Sequence, residues 1–270
     1  MVRREPDLKK ALRPMFGPVA QRLHVKSTAL LRAIEGGLPR IMLGWFVAAM
    51  LASALRIAIS PAQAAPDLGT VLPYLLLVVT PLLSMALALH WFRNGDALPQ
   101  PTTRLALIGR WRTVSRDEAS RHALYGTTGI MVSLMVGMLL NVPVRSIEYL
   151  AAIPALSGTV PHWLSTLHFA MTLDVVLLSS LYSVAFVAAL RRVPLFPRLL
   201  VAIWAIDLAM QLGIAAAATG AGDLPPKVAD ALNALLQGNV KKVFISVCLW
   251  LPYLLMSKRV NVTFRHRVEA

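Results

Sequence analysis

Six long apolar runs dominate the chain and leave few folds open to it. They cover about Ile41–Ile59, Val71–Phe92, Ala123–Val144, Leu164–Leu190, Leu199–Thr219 and Val243–Met256. A bilayer core about 30 Å thick is crossed by roughly 20 apolar residues in a helix. The sixth run is short for a span, and Lys241 and Lys242 at its start extend it by snorkelling towards the headgroups. Inside hydrocarbon the backbone must satisfy its own hydrogen bonds, and the alternation of a barrel strand is absent, so each run is expected to be a helix. The composition fits: 57% of the residues are hydrophobic and 15% charged, against about 25% charged in soluble domains. The expected fold is all-α, a polytopic six-helix transmembrane bundle.

The formal net charge of +14 raises the question of nucleic acid, and its distribution answers it. With the N-terminus in the cytoplasm, 22 of the 27 lysines and arginines fall on the cytoplasmic side. Only Arg56, Arg145, Lys227, Lys241 and Lys242 fall on the other. That is the positive-inside pattern, and it puts both termini in the cytoplasm. Basic loops there attract anionic lipids, which accounts for the excess charge. No nucleic-acid recognition motif is present.

The runs divide the chain. Residues 1–40 form a basic segment in which Leu8, Leu12, Met15, Val19 and Leu23 recur at helical spacing, as in an interfacial helix. Pro14 and Pro18 interrupt it, so a plain charged tail is the competing reading. Residues 41–92 make a two-helix unit, 93–122 a basic cytoplasmic linker, 123–257 a four-helix domain and 258–270 a basic tail. After the first run, Ala62-Gln63-Ala64 reads either as a short outer loop or as a signal-peptidase site. The stretch Pro225 to Gly238 reads as a short amphipathic helix outside the bilayer. Trp111 between Arg110 and Arg112 fits a membrane-interface anchor, as do Tyr253, Lys258 and Arg259 at the end of the sixth run.

That last region, "WLPYLLMSKRVNVTF", with Trp250, Pro252, Tyr253, Ser257, Arg259, Val260, Thr263 and Phe264, resembles the end of a bacterial four-helix membrane domain, family 2569 of the domains of unknown function. "LFPRLL" at Leu195–Leu200 fits the same family, and the likeness spans about residues 119–267. Two N-terminal helices and a basic lead depart from it. The resemblance implies a multi-pass protein of the bacterial cytoplasmic (inner) membrane and carries no activity.

Polar residues inside the runs are the candidate functional positions, because a charge at mid-membrane costs at least about 2.5–3.5 kcal/mol on insertion scales. Counting residues from each cytoplasmic edge puts Asp174, Arg56 and Lys242 in one layer, so Asp174 is expected to pair with Arg56 or Lys242. His168 and Arg145 count out higher. Asp207 counts to the midplane, near Ser133, Tyr182 and Ser183, with Gln211 one turn above it. These five form a candidate intramembrane polar site, read either as helix-packing glue or as a proton- or solute-coupling site. Gly129, Ser133, Gly137 and Asn141 recur every fourth residue, which suits close helix approach. Cys248, the one cysteine, is expected to be buried.

No catalytic motif, cofactor fingerprint or metal-ligand pair is present, and the six histidines show no ligand spacing. Three functions compete, and the first is the expected one. A non-catalytic accessory, assembly or scaffold protein, with a membrane-protein partner or a homo-oligomeric state, needs only the bundle and its basic faces. A small-solute or proton-coupled transporter would use Asp207, with Pro143 and Pro252 breaking helices near polar groups. A lipid-modifying enzyme using Asp174, His168 or Glu148 is the remotest.

Overall fold

The computed structural model describes residues 8–61, 65–102, 109–222 and 224–270, with the backbone alone over 8–24. It is mainly helical: α1 (Leu8–Ile59), α2 (Leu68–Trp91), the short α3 (Arg116–Ser120), α4 (Met131–Ala152), α5 (His162–Leu190), α6 (Phe196–Gly220), α7 (Pro226–Met256) and α8 (Lys258–Arg265). Among the described residues, six helices are long and apolar enough to cross a membrane. Among the described residues one antiparallel ladder, β1 (Trp111–Thr113) with β2 (Arg267–Glu269), departs from an otherwise all-α fold.

Helix α5 is the axis of the bundle. It packs against α2, α4 and α6, and about two-thirds of its most apolar 18-residue stretch is buried. The first two helices join this body directly, α2 lying along α5 and α1 against both α2 and α4. By contrast, the most apolar 18-residue stretches of α1 and α7 are only 11% and 17% buried, so each presents most of that stretch outward.

Several boundaries differ from those read off the sequence. Helix α4 begins at Met131, not near Ala123, because Gly126 and Gly129 adopt left-handed φ values of 104° and 74° and the chain turns there. The expected amphipathic segment after Pro225 and the sixth span are one continuous 31-residue helix, with Gly238 inside it rather than at its end. Pro143 and Pro252 likewise lie inside α4 and α7 without ending them. The backbone of α1 is helical from Leu8 across Pro14 and Pro18; the side chains of that amphipathic stripe, and the Ala62–Ala64 site, lie outside the described residues.

Residues 110–114 of the linker and the C-terminal residues fold onto each other instead of trailing. Phe264 of α8 stacks on Phe196 at 5.0 Å, and Val260, Asn261, Val262 and Thr263 are all buried. Arg265 donates to the Leu254 carbonyl and to Asn261 Oδ1. Its burial, with Arg267 and Arg198 nearby, lowers its pKa to about 10. Each of the expected interface anchors also makes a contact within the protein. Trp111 is held in β1, Lys258 pairs with Glu269 at 2.6 Å, and Arg259 donates to Thr128 Oγ1 at 2.8 Å and to the Leu124 and Gly126 carbonyls. Tyr253 packs edge-on against Trp250 at 6.0 Å.

Candidate functional site

The hydrophobic core is split in two. One cluster, with Met138, Leu178, Ile203 and Val243, lies towards the end bearing α8. The other, with Tyr149, Val175, Ile214 and Leu236, lies towards the opposite end. Near the boundary between these clusters each of α4, α5, α6 and α7 carries buried polar residues: Arg145, Asp174, Asp207 with Gln211, and Asn239. Four helices thus bring their polar positions to one level, and the side chains meet there.

Arg145 is the hub. Its Nη1 donates to Asp174 Oδ2 at 2.6 Å, and its Nη2 donates to Asp207 Oδ1 and Oδ2 at 2.9 and 2.8 Å. Tyr182 Oη donates to Asp207 Oδ2 at 3.1 Å. Gln211 Nε2 donates to Asp174 Oδ1 at 3.1 Å and to Asp207 Oδ1 at 3.4 Å. Residue exposures are 8% for Arg145, 7% for Asp174 and 0% for Asp207. One guanidinium, in short charge-assisted bonds, serves two carboxylates away from solvent.

A second set of bonds leads outward from this centre. Asn239 Nδ2 donates to Gln211 Oε1 at 3.2 Å, and Lys242 Nζ donates to Asn239 Oδ1 at 3.2 Å. Lys242 also pairs with Glu148. Their side chains are 53% and 26% exposed, so the ladder runs from the buried acids to the surface of the bundle.

This geometry corrects the expected partners. Asp174 pairs with Arg145, not with Arg56 or Lys242. The reason is the late start of α4: from Met131, Arg145 is 14 residues into its helix, about 21 Å along it. Asp174 is 16 residues from the end of α5 and Asp207 11 from the start of α6, about 24 and 16 Å. The arginine lies between the two acids. Arg56 instead donates to the Ile153 carbonyl at the end of α4, at 3.0 Å. Lys242 lies in the same layer but is engaged by Glu148.

Of the other expected site residues, Gln211 and Tyr182 join Asp207, and Ser133 and Ser183 do not. Ser133 is exposed and donates to its own helix at the Ile130 carbonyl. Ser183 is buried but donates to Ser179 of its own helix and faces a separate apolar cleft beside Trp45 and Met85. The small-residue stripe does not seat a neighbour either, since a Cβ at Gly137 would meet nothing within 4 Å. Cys248 is exposed on α7, not buried. His168 contacts Tyr149, 3.4 Å from its hydroxyl, away from the charged centre. Among the described residues no cluster of three metal-ligating side chains occurs.

Sequence reasoning missed Arg145 as the hub. The signal was available in the Gly126 and Gly129 pair, which shortens the helix that carries it. No family model, no curated protein and no solved structure matches the chain.

Proposed function

We propose that this is a proton-coupled carrier of small solutes, with the Asp174–Arg145–Asp207 centre as its proton-binding site. The observation that carries the reading is the ratio of two carboxylates to one guanidinium. A structural tie between helices needs one acid for one base. A second buried acid adds charge that hydrocarbon penalises unless a partner neutralises it. A proton shared by the pair supplies that neutrality, and its release and uptake would couple to movement of the four helices that meet at the centre. The polar ladder to Lys242 and Glu148 gives the site a connection to water.

The carrier would sit in a bacterial cytoplasmic membrane with both termini in the cytoplasm. The sidedness of the basic residues supports this, and the likeness to the four-helix family is compatible with it. Basic groups at that face would hold anionic lipids. The test is reconstitution into vesicles with an imposed pH gradient and an internal pH dye, adding amino acids, sugars, organic acids and amines one class at a time. A solute-dependent pH change that disappears in the Asp174→Asn/Asp207→Asn double variant is expected. No solute-dependent change from any class with the wild-type protein would overturn the reading.

A second reading, a non-catalytic accessory or assembly protein, draws on the weak burial of α1 and α7, whose outward faces would receive a membrane-protein partner or a second copy. A stoichiometric partner retained through mild-detergent purification would favour it over transport.

A further inference from the structure

A small cavity lies against the charged centre, lined by Asn141, Arg145, Glu148, Asp207, Asn239 and Lys242 among others. It runs between the buried carboxylate of Asp207 and the exposed pair of Glu148 and Lys242. The space open to the centre of a water-sized sphere is about 40 Å³. A single water requires about 10–15 Å³ by that measure, together with two to four polar partners.

Two of the lining residues each carry a buried atom with no hydrogen-bond partner within the protein: the Nε of Arg145 and the Oδ1 of Asn141. The first donates only and the second accepts only. Both belong to α4, four residues apart and therefore on one face, and Arg145 is more than nine-tenths buried. Buried polar atoms of native proteins are generally satisfied, by ordered water where not by protein. An apolar occupant would leave both unsatisfied. Water, which donates and accepts, satisfies both.

We infer that this cavity holds a short chain of water molecules that conducts protons, with Glu148 as the exchange group at its mouth. The inference rests on the proton-binding reading of the centre and names its route. When Glu148 gives up a proton, its O–H bond breaks and a water oxygen gains one. Each following water takes one proton and releases another, and a carboxylate oxygen of Asp207 forms the last O–H bond. One positive charge moves inward and no electrons are exchanged. Lys242, paired with Glu148, holds that carboxylate at the mouth. The groups facing the route are Arg145 and Glu148 from α4, Tyr182 from α5, Asp207 from α6 and Lys242 from α7.

The test is infrared absorption of protonated carboxyl groups in the protein held in lipid nanodiscs, followed after transfer from H2O to D2O. The wild type is expected to show a carboxyl band, assigned to the centre by its loss in Asp174→Asn or Asp207→Asn, that shifts quickly on exchange. Asn141→Leu, which fills the cavity, and Glu148→Gln, which removes the exchange group, should each slow that shift at least about ten-fold. Thr80→Val, whose hydroxyl bonds its own helix at Leu76, should leave it unchanged. Ser246→Leu fills the same cavity from α7 and replaces Asn141→Leu if that variant is not monodisperse. A wild-type band with unchanged exchange in both the cavity-filling and the Glu148 variants would overturn the water route and leave the proton site standing. Absence of any carboxyl band that depends on Asp174 or Asp207 would overturn both.

Discussion

Arg145 grips Asp207 through one nitrogen, Nη2, which lies 2.9 Å from Oδ1 and 2.8 Å from Oδ2, leaving Nη1 free to hold Asp174. The arrangement ties α4 to α5 and α6 at a single point between two apolar cores. Removing the guanidinium strands two buried acids at once. Arg145→Met is therefore expected to lower stability by about 3–5 kcal/mol, measured by unfolding in mixed micelles. Adding both Asp174→Asn and Asp207→Asn to that variant should recover part of the loss.

The two acids should behave as a coupled pair. Either single change, Asp174→Asn or Asp207→Asn, leaves one carboxylate facing Arg145, and the expected cost is about 1 kcal/mol. The double variant leaves Arg145 unpaired in the core, and about 3–5 kcal/mol is expected. The excess over the sum of the singles is the signature of a shared partner. Strictly additive losses in a double-mutant cycle would show that each acid is held independently.

Helix α2 starts on an acid-sensitive cap. Asp67 accepts from the Thr70 backbone N–H and hydroxyl, both at 2.8 Å, and the backbone bond from Thr70 chiefly holds its pKa below the usual carboxylate value. The depressed folded value means that the stabilisation is present above the ordinary carboxylate pKa and is lost as pH falls through the folded one. Protease cleavage between α1 and α2 should rise on acidification in the wild type. In Asp67→Asn, which keeps a neutral cap, that rise should be absent.

Gly95 is required by space rather than by backbone angle. A Cβ there would lie 2.7 Å from the Arg191 carbonyl oxygen and 2.7 Å from Val193 Cγ2. The oxygen belongs to the backbone and cannot swing aside. Gly95→Ala is expected to cost about 1–3 kcal/mol, read as a lowered thermal midpoint in detergent. An unchanged midpoint would mean that the turn after α5 yields easily.

Apolar run length marked the spans, because bilayer thickness fixes how much helix must be apolar. The acids stood out for the same reason: Asp174 and Asp207 break hydrocarbon runs, and Gln211 follows Asp207 by one turn. Arg145 did not stand out, because its height depends on where α4 begins. Two glycines in left-handed conformation move that start by eight residues, about 12 Å.

The sequence alone determined that this chain forms apolar helices long enough to span a membrane and carries acids within them, since both follow from local composition. Only the tertiary structure decided that one arginine serves both acids, that Lys242 belongs to Glu148, and that α8 folds back onto α6. Those pairings depend on helix register and neighbours, which are set by packing between residues far apart in the chain. Periodicity along one helix does not encode the height of the next.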